Sequence, residues 1–161
     1  MVIAFQREEE NEEISVIPRR SIRLGPRIAS GSSGIVSRGV WNDQKVAVKE
    51  VHGQFGKKSR HPELAFARES SILVQVKHPN MVKLLGTVES PNTRWLVLEL
   101  CAGGDLCQVL YSATKELPLE QKKMMISDTA EAMGYLHAFH PQIMHRDLKS
   151  LNLLLASKGS E

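Results

Sequence analysis

The chain has 161 residues, 42% hydrophobic and 24% charged, an ordinary globular composition with enough apolar mass for a sizeable core. Its formal charge of +3 comes without any run of five or more basic residues, which argues against nucleic acid as a partner. No stretch approaches the ~18 apolar residues of a membrane helix, and Cys101 and Cys107 have neither a disulfide framework nor metal-ligand spacing, so a membrane span is not expected and a reducing, cytoplasmic setting is.

Residues 1 to 19 read as an acidic mobile leader. Glu8, Glu9, Glu10, Glu12 and Glu13 stand at its centre without a clear period, and the apolar run from Val2 to Phe5 is too short for a signal peptide. From Arg20 the pattern changes. Ile22, Leu24 and Ile28 predict a strand, the Gly/Ser stretch 31 to 34 a turn, and residues 35 to 41 a second strand, which together make a hairpin. Asn42-Asp43 marks the turn into a third strand over residues 45 to 51.

Residues 52 to 62, with Lys57, Lys58 and Arg60, read as a basic surface loop without aromatic interleaving. Residues 63 to 76 predict a helix with Pro62 just before its start and His78-Pro79-Asn80 beyond its end. Two more strands follow, over 82 to 88 and 94 to 100, joined at Ser90-Pro91-Asn92. Asp105 is a natural N-cap for a short helix through Leu110. A long helix then runs from Pro118 to about His140, with Ile126, Ala130, Met133 and His137 expected on its core face and the methionines as core filler.

Two patterns carry chemistry. Phe66, Glu69, Leu73 and Val76 are spaced 3, 4 and 3 apart, so Glu69 lies within an apolar helical stripe. A carboxylate there is costly unless paired, and Lys49, closing the strand string Val46-Ala47-Val48, is the expected partner. The second pattern is His145-Arg146-Asp147-Leu148-Lys149-Ser150-Leu151-Asn152, a polar loop ahead of Leu153 to Leu155. There Asp147 suits proton acceptance from an attacking hydroxyl, Lys149 suits phosphate charge, and Asn152 offers an oxygen to Mg²⁺.

That loop matches H-R-D-L-x-x-x-N at every fixed position and so resembles the catalytic loop of the protein kinase family. Its Lys-Ser pair is similar to the tyrosine-kinase-like group, which includes Raf-type and mixed-lineage kinases. Gly31-x-x-Gly34-x-Val36 is similar to the family's G-x-G-x-x-G-x-V, with Ala29 in place of the first glycine, and Val46-Ala47-Val48-Lys49 to its V-A-I-K. The resemblance covers about residues 20 to 161. It implies an α+β fold: a kinase-like N-lobe of a five-stranded antiparallel sheet plus one long helix over residues 20 to 100, then a hinge and the first part of a helical C-lobe over 101 to 161.

By the same resemblance the function is ATP-dependent, Mg²⁺-assisted phosphoryl transfer to a serine or threonine hydroxyl of a protein. Asp147 and Lys149 serve the reacting groups, Asn152 the metal, and Lys49, held by Glu69, the α- and β-phosphates. Ala29, Gly31 and Gly34 cover the phosphates, Leu98 is the gatekeeper, and the backbone of Glu99 and Cys101 meets the adenine edge. Asp105 reaches the ribose, and Val36, Ala47 and Leu154 wall the adenine ring. The family's D-F-G segment, expected about a dozen residues beyond Asn152, does not occur in the nine residues that follow it. Slow or absent turnover by this chain alone is therefore expected, together with uncovered apolar surface on the long helix. The alternative is a non-catalytic kinase-like module that docks on a partner kinase or scaffold through the helix at 63 to 76. Nucleic-acid binding through the Lys57 loop is the weakest reading.

Overall fold

A computed structural model of the chain describes residues 3–4, 15–31, 34–51, 62–112 and 117–156. The basic residues Lys57, Lys58 and Arg60 and the acidic residues 8 to 13 lie outside that set. In chain order the elements are β1 (Ile3–Ala4), β2 (Ser15–Val16), β3 (Ile22–Gly31), β4 (Gly34–Trp41), β5 (Gln44–Val51), α1 (Pro62–Gln75), β6 (Leu84–Ser90), β7 (Thr93–Glu99), α2 (Leu106–Tyr111), α3 (Leu119–His137) and β8 (Leu153–Leu154). They fall into two compact units, one of Asn11–Gln75 with Lys83–Leu100, the other of Met1–Glu10, Val76–Val82 and Cys101–Glu161.

The first unit is a sheet in the order β2-β6-β7-β5-β4-β3 with α1 packed on one face. Strands β3 to β7 pair antiparallel, as their short alternating runs predict. The β4–β5 hairpin turns on Asn42 and Asp43, whose φ values of 48° and 60° are the left-handed pair that a two-residue hairpin requires. The expected sheet of five antiparallel strands needs correction. A sixth strand, β2, pairs in parallel with β6, so the sheet is mixed. For residues 15–19 of the expected mobile leader the structure shows order instead, with Ile17 2% exposed. Three residues ending at a proline are too short for a period to reveal a strand, and only the apolar seat identifies Ile17.

Side chains alternate across the sheet. Val46, Val48, Trp95 and Val97 bury on one face with Ile17, Ile22 and Val88. Val51, Leu84 and Leu96 bury on the other, against Phe66 and Leu73 of α1. Lys49 stands two residues from Val51 and so shares the face that α1 covers.

In the second unit, α3 supplies Ala132 and Leu136 to a core completed by Val76 and Met81, with Met125, Met133, Tyr135 and Phe139 against it. This corrects the expected face. Ile126 is 70% exposed, Ala130 and His137 are exposed too, and of the four predicted residues only Met133 touches the core. The core-facing row of Met125, Ala132 and Leu136 lies one residue earlier, a rotation of about 100° around the helix. Met124, Met125 and Ile126 are apolar in succession, so two registers satisfy the same period. Asn80, buried in the turn before β6, donates from Nδ2 to the Asp128 carbonyl at 3.2 Å, and the Tyr135 hydroxyl accepts the Lys77 N–H at 2.9 Å. No helix among the described residues is long and apolar enough to cross a membrane.

Candidate active site

In the sheet unit, register aligns the predicted residues in rows. Ala29 pairs with Val36, Val36 with Lys49, and Lys49 with Leu96, so one row crosses β3, β4, β5 and β7. Ala47 stands opposite Leu98 in the neighbouring row. Lys49 Nζ donates to Glu69 Oε1 at 2.6 Å, so the acid in the apolar stripe of α1 has its cation. Gly31 pairs with Gly34 at the mouth of the hairpin, and Gly34 holds a φ of 149°, a backbone that side chains with a Cβ rarely adopt. A Cβ on Gly31 would meet no atom of the described residues within 4 Å.

Glu99 closes β7. Its N–H donates to the Lys83 carbonyl at 3.0 Å, while its buried carboxylate accepts the Lys83 N–H at 2.8 Å. Both groups of Glu99 thus tie the end of β7 to the start of β6.

In the helical unit, the loop after α3 is organised on Asp147. Lys149 Nζ donates to its Oδ1 at 2.7 Å, and Asn152 Nδ2 donates to its Oδ2 at 2.9 Å and to its carbonyl at 2.6 Å. The Asp147 N–H donates to His145 Nδ1 at 3.3 Å, and Arg146 takes a φ of 63°, a left-handed conformation that sharpens the turn. Hydrogen bonds from Lys149 and then Asn152 hold the Asp147 carboxyl below the usual carboxylate range. The loop closes in a short 3₁₀ turn, Ser150–Asn152, through Asn152 N–H to Lys149 O at 2.8 Å. Because both groups that face Asn152 Nδ2 are acceptors, the amide orientation is settled and Oδ1 is the remaining acceptor. A hard divalent cation prefers such an oxygen, so Asn152 Oδ1 suits the part of one ligand to Mg²⁺.

The family model for the protein kinase domain matches residues 22–160. The chain belongs to the protein kinase family. This kinase chain is 33% identical over 162 residues to the probable serine/threonine-protein kinase roco7 of Dictyostelium discoideum, covering 99% of the chain and 6% of that protein. It is 37% identical over 144 residues to the serine/threonine-protein kinase CTR1 of Arabidopsis thaliana, covering 88% and 17%. It is 36% identical over 140 residues to mitogen-activated protein kinase kinase kinase 7 of Drosophila melanogaster, covering 86% and 20%. The chain therefore spans between 6% and 20% of the length of these relatives. Protein kinase domains use ATP and a divalent metal as a class.

The kinase chain also holds contacts that sequence reasoning missed. The Gly103 N–H donates to Leu155 O at 3.0 Å, the Leu155 N–H to Gly104 O at 2.9 Å, and Asp105 bridges Leu154. The segment after the loop is thus tied to the one that follows buried Cys101, and β1 pairs in parallel on β8 at Leu153 and Leu154. The paired glycines Gly103-Gly104 were the available signal: a Cβ on Gly103 would come within 2.6 Å of Leu155 O. Asp105 is committed as the N-cap of α2, accepting from Gln108 N at 2.9 Å and from Gln108 Nε2.

Proposed function

We propose that this chain carries the ATP- and Mg²⁺-dependent centre of a protein serine/threonine kinase of the tyrosine-kinase-like group, acting in the cytoplasm on a protein hydroxyl. The observation that supports it most is the Asp147 carboxylate held from two sides by Lys149 and Asn152. ATP with its metal supplies the transferable phosphoryl group and neutralises its charge when bound. Residues 20–100 then form the nucleotide-gripping lobe, and residues 101–161 the hinge and the start of the helical lobe.

Asp147 accepts the hydrogen bond of the substrate hydroxyl. Held below the ordinary carboxylate range, it stays ionised near neutrality, and its greater contribution is to aim the hydroxyl oxygen rather than to abstract the proton early. Lys149, already beside it, places positive charge where negative charge develops on the phosphoryl oxygens. Asn152 is the residue that would hold the metal, through Oδ1.

Glu69 keeps the Lys49 ammonium in one place, so that a cation is ready for the α- and β-phosphates without reorganisation. Ala29, Gly31 and Gly34 bring backbone over the phosphates, and the backbone of Glu99 and Cys101 addresses the adenine edge. Val36 and Ala47 offer the ring an apolar wall from the sheet unit. Asp105 contacts the ribose only by sharing its carboxylate with the α2 cap.

The test is γ-phosphate transfer from Mg·ATP to serine and threonine peptides. Turnover by this chain is expected to be slow, and Asp147→Ala is expected to lower whatever rate it shows by about 10²-fold or more. Transfer as fast in D147A as in the parent would remove the assigned role. Mg²⁺-dependent ATP binding that is lost in Lys49→Met checks the nucleotide grip separately. Binding without Asp147-dependent transfer would favour a non-catalytic module instead.

A further inference from the structure

Residues 15–19 precede the family match at 22–160, yet they are built into the sheet. Ser15 and Val16 pair in parallel with Gly86 and Thr87 of β6, and the Ile17 N–H donates to Thr87 O at 2.8 Å. Pro18 follows with no N–H to give, so the ladder stops there. Ile17 packs its side chain into the cluster of Val46, Val48, Val88, Trp95 and Val97. Arg19 then lays its guanidinium 3.9 Å from the centroid of the Trp95 ring. The seat is shaped for this close approach: a Cβ on Gly86 would lie 2.5 Å from both Ser15 O and Ile17 Cδ1.

We propose that the edge of β6, with Gly86 and Trp95, is a strand-addition docking site whose occupant is this chain's own segment 15–19. It takes an extended stretch with an aliphatic anchor, then a proline, then a cation. Main-chain bonds to β6 supply affinity, while the apolar seat of Ile17 and the face of Trp95 supply selectivity. With the segment removed, β6 is an open sheet edge, a template for pairing with other chains. With it in place the edge is a two-residue strand closed by proline. The docked Ile17 also covers Val46 and Val48, which alternate with Ala47 and Lys49 on β5, so occupancy stiffens the strand that carries the lysine.

Ile17→Asp places a charge in the apolar seat and releases the segment. A labelled peptide of residues 11–21 is titrated into the parent chain and into I17D. Binding to I17D is expected to be at least about tenfold tighter, because the parent's own segment competes at high effective concentration. The same peptide carrying the Asp should bind neither. Equal binding to both chains, or binding indifferent to the Asp in the peptide, overturns the proposal. Should I17D not fold, amide hydrogen exchange on the folded parent and on Arg19→Ala decides the matter. R19A should speed exchange at Ile17 about threefold while leaving Val46 and Val48 unchanged, since a cation–π contact is worth that much. Ile17 exchanging only in step with β5 in both chains makes the segment an inseparable part of the core and refutes a docking site.

Discussion

Lys49 Nζ and Glu69 Oε1 stand 2.6 Å apart across 20 residues of sequence, their side chains only 13% and 24% exposed. A pair so far out of water is worth less as a net stabiliser than as a fixed geometry, because desolvation offsets much of the attraction. Removing one member strands the other. Glu69→Gln is therefore expected to destabilise the sheet unit by about 1–3 kcal/mol and to weaken ATP binding by more than the stability loss explains. Isothermal titration beside thermal melts checks both, and unchanged ATP affinity would show that Glu69 does not position Lys49.

Asp147 gives a pH prediction. Its folded carboxyl titrates below the usual range because Lys149, then Asn152, favour the ionised form. A lowered folded value means that the stability it contributes is present above the unfolded carboxylate's range and is lost as pH falls through the folded value. The group is largely exposed, so the effect on global stability is small, and the titration itself is the readout. Carbon-detected NMR of the Asp147 carboxyl should show a shift toward the ordinary value in Lys149→Ala, and a smaller one in Asn152→Ala.

Two glycines should respond with opposite signs. Gly103→Ala forces a Cβ to within 2.6 Å of Leu155 O and 2.7 Å of its Cβ, and should cost about 1–3 kcal/mol. Gly134 lies inside α3 with no atom of the described residues within 4 Å of an added Cβ, so Gly134→Ala should stabilise by about 0.5–1 kcal/mol. Denaturant melts of both variants provide the comparison.

The register of α3 is tested by truncation on its two faces. Leu136→Ala, from a fully buried position, should cost about 2–5 kcal/mol. Ile126→Ala, at 70% exposure, should stay within about 0.5 kcal/mol. Reversed magnitudes would restore the face that periodicity alone suggests.

Much of this was legible in the order of residues. A carboxylate inside an apolar helical stripe has to find a cation, and Lys49 at the end of a strand of small hydrophobes was the one offered. Asn42-Asp43 announced its hairpin because few other residue pairs accept two positive φ values. Asp105 announced its cap by its place before a short helix. Less legible was whatever depends on a distant surface. Asp105 also bridges Leu154, and Gly103 is pressed against Leu155, contacts between segments some fifty residues apart that no local pattern encodes.

By itself, then, the order of residues determined the alternating strands, the two principal helices, the Lys49–Glu69 pairing and a polar loop around Asp147. Each follows from interactions within a few residues or from a charge that must be neutralised. Tertiary structure alone decided which apolar face of α3 is buried, that Ile17 closes the sheet edge, and that Asn152 turns its amide nitrogen to Asp147. Periodicity limits a helix to a few equivalent registers and an amide to two orientations, and only the groups packed against them choose.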